Sequence, residues 1–276
     1  MKIAYGIYGM PEISPFDSIP RLAALGYQGI EVAVGSRWSC APEKLPAADR
    51  DRLRALFGEL GIDFTAALLF VNMLAEEGAP LDEQHAIFRE ACRLSRQISP
   101  HAEAPVVVST LGSADIEWER DVDWVAARVQ HTSSVARDEG CRLALEPHVG
   151  GLLDRPSRVL DLMERAPEAK INFDISHFWV QGMATADVAP PLVPHSVHTH
   201  IKDGVLEDGK VRFLLPGEGP HDLVEYFRAM HAAGYRGFIT VEVSAHIYRR
   251  EDYDPWAAAQ FCWDALSRAR AAAGLA

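Results

Sequence analysis

The segment INFDISHF, residues 171–178, ends a hydrophobic run in Asp174 and sets His177 three residues later. Similar endings recur along the chain. LALEPHVGG carries Glu146 and His148, SVHTHIKDG carries His198, His200, Lys202 and Asp203, and GFITVEVS carries Glu242. An ionised carboxylate left unpaired against an apolar run is costly to bury, so groups like these need a shared partner. A divalent cation surrounded by two Glu, one Asp and one His offsets much of their mutual repulsion. Asp174 would reach such an ion, while His177, past the end of its strand, would face whatever binds beside it. The oxygen-rich donor set suits one divalent ion, Mn²⁺ before Mg²⁺ or Co²⁺, over a structural zinc; a catalytic Zn²⁺ also fits. A single His or Asp at a strand end is more often a loop or cap residue satisfied by backbone groups. The recurrence on consecutive strands is what argues for a site.

Positioning those ends requires a scaffold with repeated strand termini on one face. Eight short strand-like runs are legible: 2–8, 29–34, 63–70, 105–110, 141–147, 170–174, 196–202 and 237–243. Several are apolar without alternation, as strands buried on both faces should be. Helical patterns separate them, such as DRDRLRALFGELG, with Leu53, Leu56, Phe57 and Leu60 on one stripe and Gly61 as a C-cap. No Pro/Ser/Gly-rich linker interrupts the alternation. Eight βα units spread over 276 residues predict a single α/β domain over 1–276, a (β/α)8 TIM barrel with its chemistry at the carboxyl ends of the strands. An open doubly wound sheet is the alternative, and neither GxGxxG nor GxxxxGK[ST] is present to support it.

Other residues carry weaker signals. Glu31 lies inside GIEVAV, where a pairing with Lys202 or an arginine is as reasonable as substrate contact. His148, Lys202 and Arg37 are candidate substrate-binding residues, with Trp38 beside Arg37 as a ligand cover, although a solvated loop explains the last two equally well. His85, His101 and His131 read as surface residues, and RLRALF as a solvated helix face. Four scattered cysteines without a CxxC pair read as reduced core residues. A formal net charge of −12 opposes binding to a phosphate backbone and favours small-molecule partners over nucleic acid. No apolar run approaches the roughly 20 residues of a membrane span. The expectation is a cytoplasmic protein with no membrane partner; homo-oligomer formation stays open.

The sequence resembles the xylose isomerase-like TIM barrels, in particular the sugar phosphate isomerase/epimerase group with its ketose 3-epimerases, inosose dehydratases and endonuclease IV. The resemblance spans essentially the whole chain. It is carried by GYQGIEV, LALEPHVGG, INFDISHF, HTHIKDG, PGEGPHD and GFITVEVS. It implies Glu146, Asp174, His200 and Glu242 as metal ligands, His177 as a substrate contact, and Glu146 and Glu242 as acid and base on opposite faces of a sugar. Two departures stand out: Leu152 lies in the region where the epimerases carry a further Glu, and VLEDG replaces an Arg used to hold substrate oxygens, with Arg212 arriving only later. The leading expectation is a metal-dependent isomerase or epimerase acting on a ketose or oxidised polyol through a metal-stabilised enediolate. A dehydratase using the same site is the alternative. A DNA-repair endonuclease and a non-catalytic sugar-binding barrel are the readings from other classes; the first would require extra histidines and basic loops, which this acidic chain lacks.

Overall fold

A computed structural model describes residues 1–275. Seven strands come first: β1 (Lys2–Gly6), β2 (Gly29–Ala33), β3 (Asp63–Leu68), β4 (Val106–Ser109), β5 (Arg142–Leu145), β6 (Lys170–Asp174) and β7 (Ser196–Ile201). A hairpin of β8 (Asp203–Glu207) and β9 (Lys210–Leu214) follows, and then β10 (Phe238–Val241). Strands β1 to β7 and β10 form a closed parallel barrel in the order β1-β10-β7-β6-β5-β4-β3-β2. The expected (β/α)8 architecture is therefore the one observed.

The helices are α1 (Pro15–Leu25), α2 (Ala47–Leu60), α3 (Ala79–Ile98), α4 (Trp118–Asp138) and α5 (Pro156–Arg165). Then come the one-turn α6 (Ser176–Trp179), α7 (Thr185–Leu192), α8 (Leu223–Ala232), the one-turn α9 (Ala245–Tyr248) and α10 (Pro255–Ala272). Their ends follow local chemistry. The Asp254 carboxylate accepts the Trp256 and Ala257 N–H groups ahead of α10, satisfying two donors with no partner inside the helix. Gly61 closes α2 at φ 62°, in the left-handed region. On α2, Leu53 and Phe57 are buried, whereas Leu60 turns outward.

Two cores result. The larger lies between barrel and helices. A small apolar cluster of Ala66, Leu68, Val106, Val108 and Ala144 fills one side of the barrel interior. The opposite side is polar, where Asn172, Asp174, His198, His200, Glu31 and Thr240 are all buried. All four cysteines are free and buried. His85 departs from the expected surface position: it packs inside the helical layer, with Nε2 3.3 Å from Thr132 Oγ1. Among the described residues no helix is long and apolar enough to cross a membrane.

The hairpin was not expected, although its signal is present in Asp208-Gly209. Both residues have positive φ, 50° and 72°, as a type I′ turn demands, and Glu207 pairs with Lys210 across them. The hairpin brings Phe213 over the barrel mouth. Asp203, at its base, anchors the PGEGP loop by accepting the Gly219 N–H at 3.0 Å. A Cβ at Gly219 would lie 2.2 Å from Asp203 Oδ1. Gly219→Ala is therefore expected to destabilise the protein by about 1–3 kcal/mol, the usual cost of overpacking. A denaturant midpoint equal to wild type would contradict this account of the loop.

Candidate active site

Two register irregularities set up the site. The β2–β3 pairing shifts between Ile30 and Glu31, and the β6–β7 pairing shifts between Ile171 and Asn172. A shift of this kind re-aims the side chain that follows it. Beyond the shift in β6, Asn172 pairs with His198 and Asp174 with His200. The even-numbered residues 172, 174, 198, 200 and 202 thus share the inner face, since side chains alternate along a strand.

At the carboxyl ends of the strands, Glu146, Asp174, His200 and Glu242 each offer a ligand atom, all within 4.8 Å of one another. The Lys202 ammonium bonds to Asp174 Oδ2 and Glu242 Oε2 and lies 3.8 Å from Glu146 Oε1. His200 Nδ1 faces Glu146 at 3.5 Å and Glu242 at 3.6 Å, while its Nε2 faces Glu31 at 2.7 Å. Asp174 is held from behind: the Ser176 N–H donates to Oδ1 at 2.9 Å, and the Ser176 hydroxyl donates to the same oxygen.

The electrostatics follow from burial. Burial favours the neutral form of Glu146, but hydrogen bonds from His177 and His200 outweigh it and hold this carboxyl well below its usual range. Glu242 moves the other way, raised by burial against the opposing pull of Lys202, with the Glu146 charge adding to the rise. Burial opposes the charge on Lys202, yet Asp174 and Glu242 raise its pKa. His200 is likewise raised despite burial, chiefly by the Glu31 charge. Four buried carboxylates, at Glu31, Glu146, Asp174 and Glu242, thus surround one buried ammonium, Lys202, and the His200 imidazole. The surplus of carboxylates over ammonium groups and the oxygen-rich donor set both fit a divalent ion.

The other candidates divide by location. His148 and Lys202, with Glu146 and Glu242, line a cavity of about 730 Å³ that also touches Tyr8 and Phe213. Arg37 and Trp38 line an adjoining cavity of about 700 Å³, across the shared walls of Tyr8 and Phe70. Trp38 stacks on Tyr8 at 4.7 Å and donates its indole N–H to the Tyr8 carbonyl. Glu31 reaches neither cavity: it is fully buried and pairs with His198 and His200, not with Lys202 or an arginine. Burial would raise the Glu31 carboxyl, but His200 above all, with His198 beside it, holds it at about 2. Arg212 bonds to Glu207 on the exposed hairpin.

His177 is only 1 % exposed. Its Nδ1 accepts the Val149 N–H at 3.3 Å, so the proton of the neutral ring sits on Nε2 and points at Glu146 Oε1, 3.1 Å away. Burial and the Lys202 charge lower its pKa to about 4, which keeps the ring neutral near pH 7. Its immediate polar neighbours at Nε2 are therefore Glu146 of the cluster and, at 3.3 Å, the Lys202 ammonium. Asn172 was not singled out from sequence, yet its amide donates to Glu146 Oε2 at 3.3 Å and contacts His200 Nδ1 at 2.9 Å. The available signal was a polar residue two positions before Asp174, on the same face of an otherwise apolar strand. Phe213 was also missed; its ring lies 4.8 Å from the Lys202 ammonium and 5.0 Å from His177.

A family model described as xylose isomerase-like TIM barrel matches residues 19–261, and the chain belongs to that family. Among curated relatives, it is 26% identical over 143 residues to an inosose dehydratase of Geobacillus thermodenitrificans, covering 46% of this chain and 47% of that protein. The match thus spans about half the length of the relative. Among solved structures, a D-psicose 3-epimerase from Clostridium cellulolyticum superposes with a TM-score of 0.80 at 17% identity, over 99% of both chains. A 3-keto-D-glucoside 4-epimerase from E. coli does so with a TM-score of 0.72 at 16% identity, over 98% of this chain and 99% of that one. Identities this low speak to the shared fold.

Proposed function

We propose that the protein is a divalent-metal-dependent isomerase or epimerase that moves a proton on the carbon next to a carbonyl of a ketose or oxidised polyol. The observation that carries this reading is the meeting of Glu146 and Glu242 at the wall of one cavity, with Asp174 and His200 completing a four-residue donor set. The epimerase names among the structural neighbours agree with it. Glu146, Asp174, His200 and Glu242 would hold the ion, Mn²⁺ being the first choice. When bound, it supplies Lewis-acid charge that lowers the cost of an enediolate. Glu146 and Glu242 take and return the carbon-bound proton, and the His177 N–H holds the Glu146 carboxylate in place for that work. His148 and Lys202 contact substrate hydroxyls from the cavity wall, and Phe213 covers them. Lys202 is the one Lys or Arg lining this cavity and is committed to carboxylates, so a neutral polyol suits the site better than a phosphate ester. Offering a panel of unphosphorylated ketoses and keto-polyols in D₂O with added Mn²⁺, and following deuterium at the carbon next to the carbonyl, tests the reading. A panel without any exchange would count against it.

A dehydratase is the second reading, favoured by the inosose dehydratases among the curated relatives. Proton abstraction is shared, and His148 at the cavity wall would then protonate a departing hydroxyl. Product mass separates the two, because elimination loses one water. In either case His177→Ala is expected to lower turnover about tenfold or more, in line with a lost catalytic hydrogen bond, while the protein retains close to one equivalent of metal. Loss of the metal from that variant would make His177 part of the ion's own support.

A further inference from the structure

We propose that Glu31 is a positioning residue for metal coordination: its carboxylate accepts the Nε2 hydrogen of His200 and so commits Nδ1 of that ring to the ion. The proposal rests on the reading of His200 as a ligand. The two ring nitrogens face opposite ways. Nε2 lies 2.7 Å from Glu31 Oε2, while Nδ1 meets the Asn172 amide nitrogen at 2.9 Å, which also calls for a lone pair on Nδ1, and lies 3.5 Å from Glu146 Oε2 and 3.6 Å from Glu242 Oε2. A neutral imidazole carries one N–H and one lone pair, so a carboxylate at Nε2 selects the tautomer whose lone pair is on Nδ1. A carboxylate behind a ligating imidazole also raises the basicity of the ligand and fixes the plane of the ring.

Glu31 is placed to act on the ring rather than on a substrate. It is fully buried and lines neither cavity, so it cannot touch a substrate. The register shift at Ile30 and Glu31 aims it inward, and Gly6 is its partner on β1. A Cβ at Gly6 would lie 3.0 Å from Glu31 Oε1 and 3.1 Å from the Val241 carbonyl, so glycine leaves room for the carboxylate. His198 Nε2 approaches the same Oε2 at 3.0 Å without the geometry of a hydrogen bond, so the bond to Glu31 is made by His200. Glu31, His198 and His200 could also be viewed as three donors for an ion of their own. The stoichiometry of metal uptake separates that arrangement from the one proposed.

The test is Mn²⁺ titration of wild type, Glu31→Gln and Glu31→Leu, reading free Mn²⁺ by electron paramagnetic resonance, with thermal unfolding as the check on folding. Proton NMR of the Zn²⁺-loaded proteins reads the His200 Nε2–H. Expected are one equivalent in wild type, dissociation constants raised roughly 10- to 100-fold in the variants, and a larger effect for Leu than for Gln. The low-field imidazole N–H of wild type should shift in Glu31→Gln, which is nearly isosteric and keeps the result interpretable if Glu31→Leu folds poorly. Wild-type affinity in a folded Glu31→Gln protein with an unshifted N–H overturns the proposal. So does uptake of two equivalents by wild type with one lost in the variant, which would make Glu31 a direct ligand. Failure of wild type to take up any ion would instead overturn the reading of the four-residue site, and the positioning role with it.

Discussion

Metal-replete Glu146→Gln and Glu242→Gln proteins are each expected to turn over roughly 10² to 10⁴ times more slowly than wild type, the usual range for lost general acid-base catalysis. The amide keeps the volume and one acceptor oxygen of the carboxylate but cannot take a proton. Inversion at carbon requires removal from one face and return on the other, so the loss should appear in both single variants. Both residues are also proposed ligands, and a drop in activity alone could reflect lost metal. The deciding measurement is solvent-deuterium exchange at measured, equal metal occupancy. If both Gln variants exchange the carbon-bound proton at the wild-type rate, the two-glutamate mechanism is wrong. If one variant exchanges normally but yields no epimer, that residue delivers the proton and the other removes it.

The second large effect is expected on removing the ion. Chelation should abolish turnover, and Mn²⁺ should restore it. The cost comes from two sources: the carbonyl loses its Lewis acid, and the buried carboxylates lose charge compensation. Lys202 balances only part of the charge of Glu31, Glu146, Asp174 and Glu242. Stripping the ion should therefore also lower the unfolding temperature, because a ligand that binds only the folded state stabilises it by mass action. Full activity in chelator, confirmed by elemental analysis of the protein, would remove the metal from the mechanism.

Much of this was legible in the chain, for definable reasons. A strand buried on both faces must be apolar, so runs such as KINFD and GFITVEV announce themselves, and a carboxylate closing each run marks the end where it can be solvated or shared. Asn172 was not recognised because an amide in a strand is unremarkable until its neighbours are known. The hairpin of β8 and β9 was passed over because VLEDGKV is short and exposed; it became significant only when Phe213 was seen over Lys202.

Glu31 shows where the division lies. Sequence alone determined that a carboxylate stands within a buried strand and needs a partner, because an unpaired one would not be tolerated there. It also determined the barrel, the polar residues at the four strand ends and the acidic net charge, since these depend on local pattern and composition. Which partner Glu31 takes depends on a one-residue register shift beside β3 and on how closely β1 lets its carboxylate approach at Gly6. The partner proved to be His200 and His198, from a strand 165 to 170 residues away in the chain, rather than Lys202. Barrel closure decided that pairing: side chains from distant strands converge on one axis, and their distances there depend on stagger and tilt, which no local pattern of residues encodes.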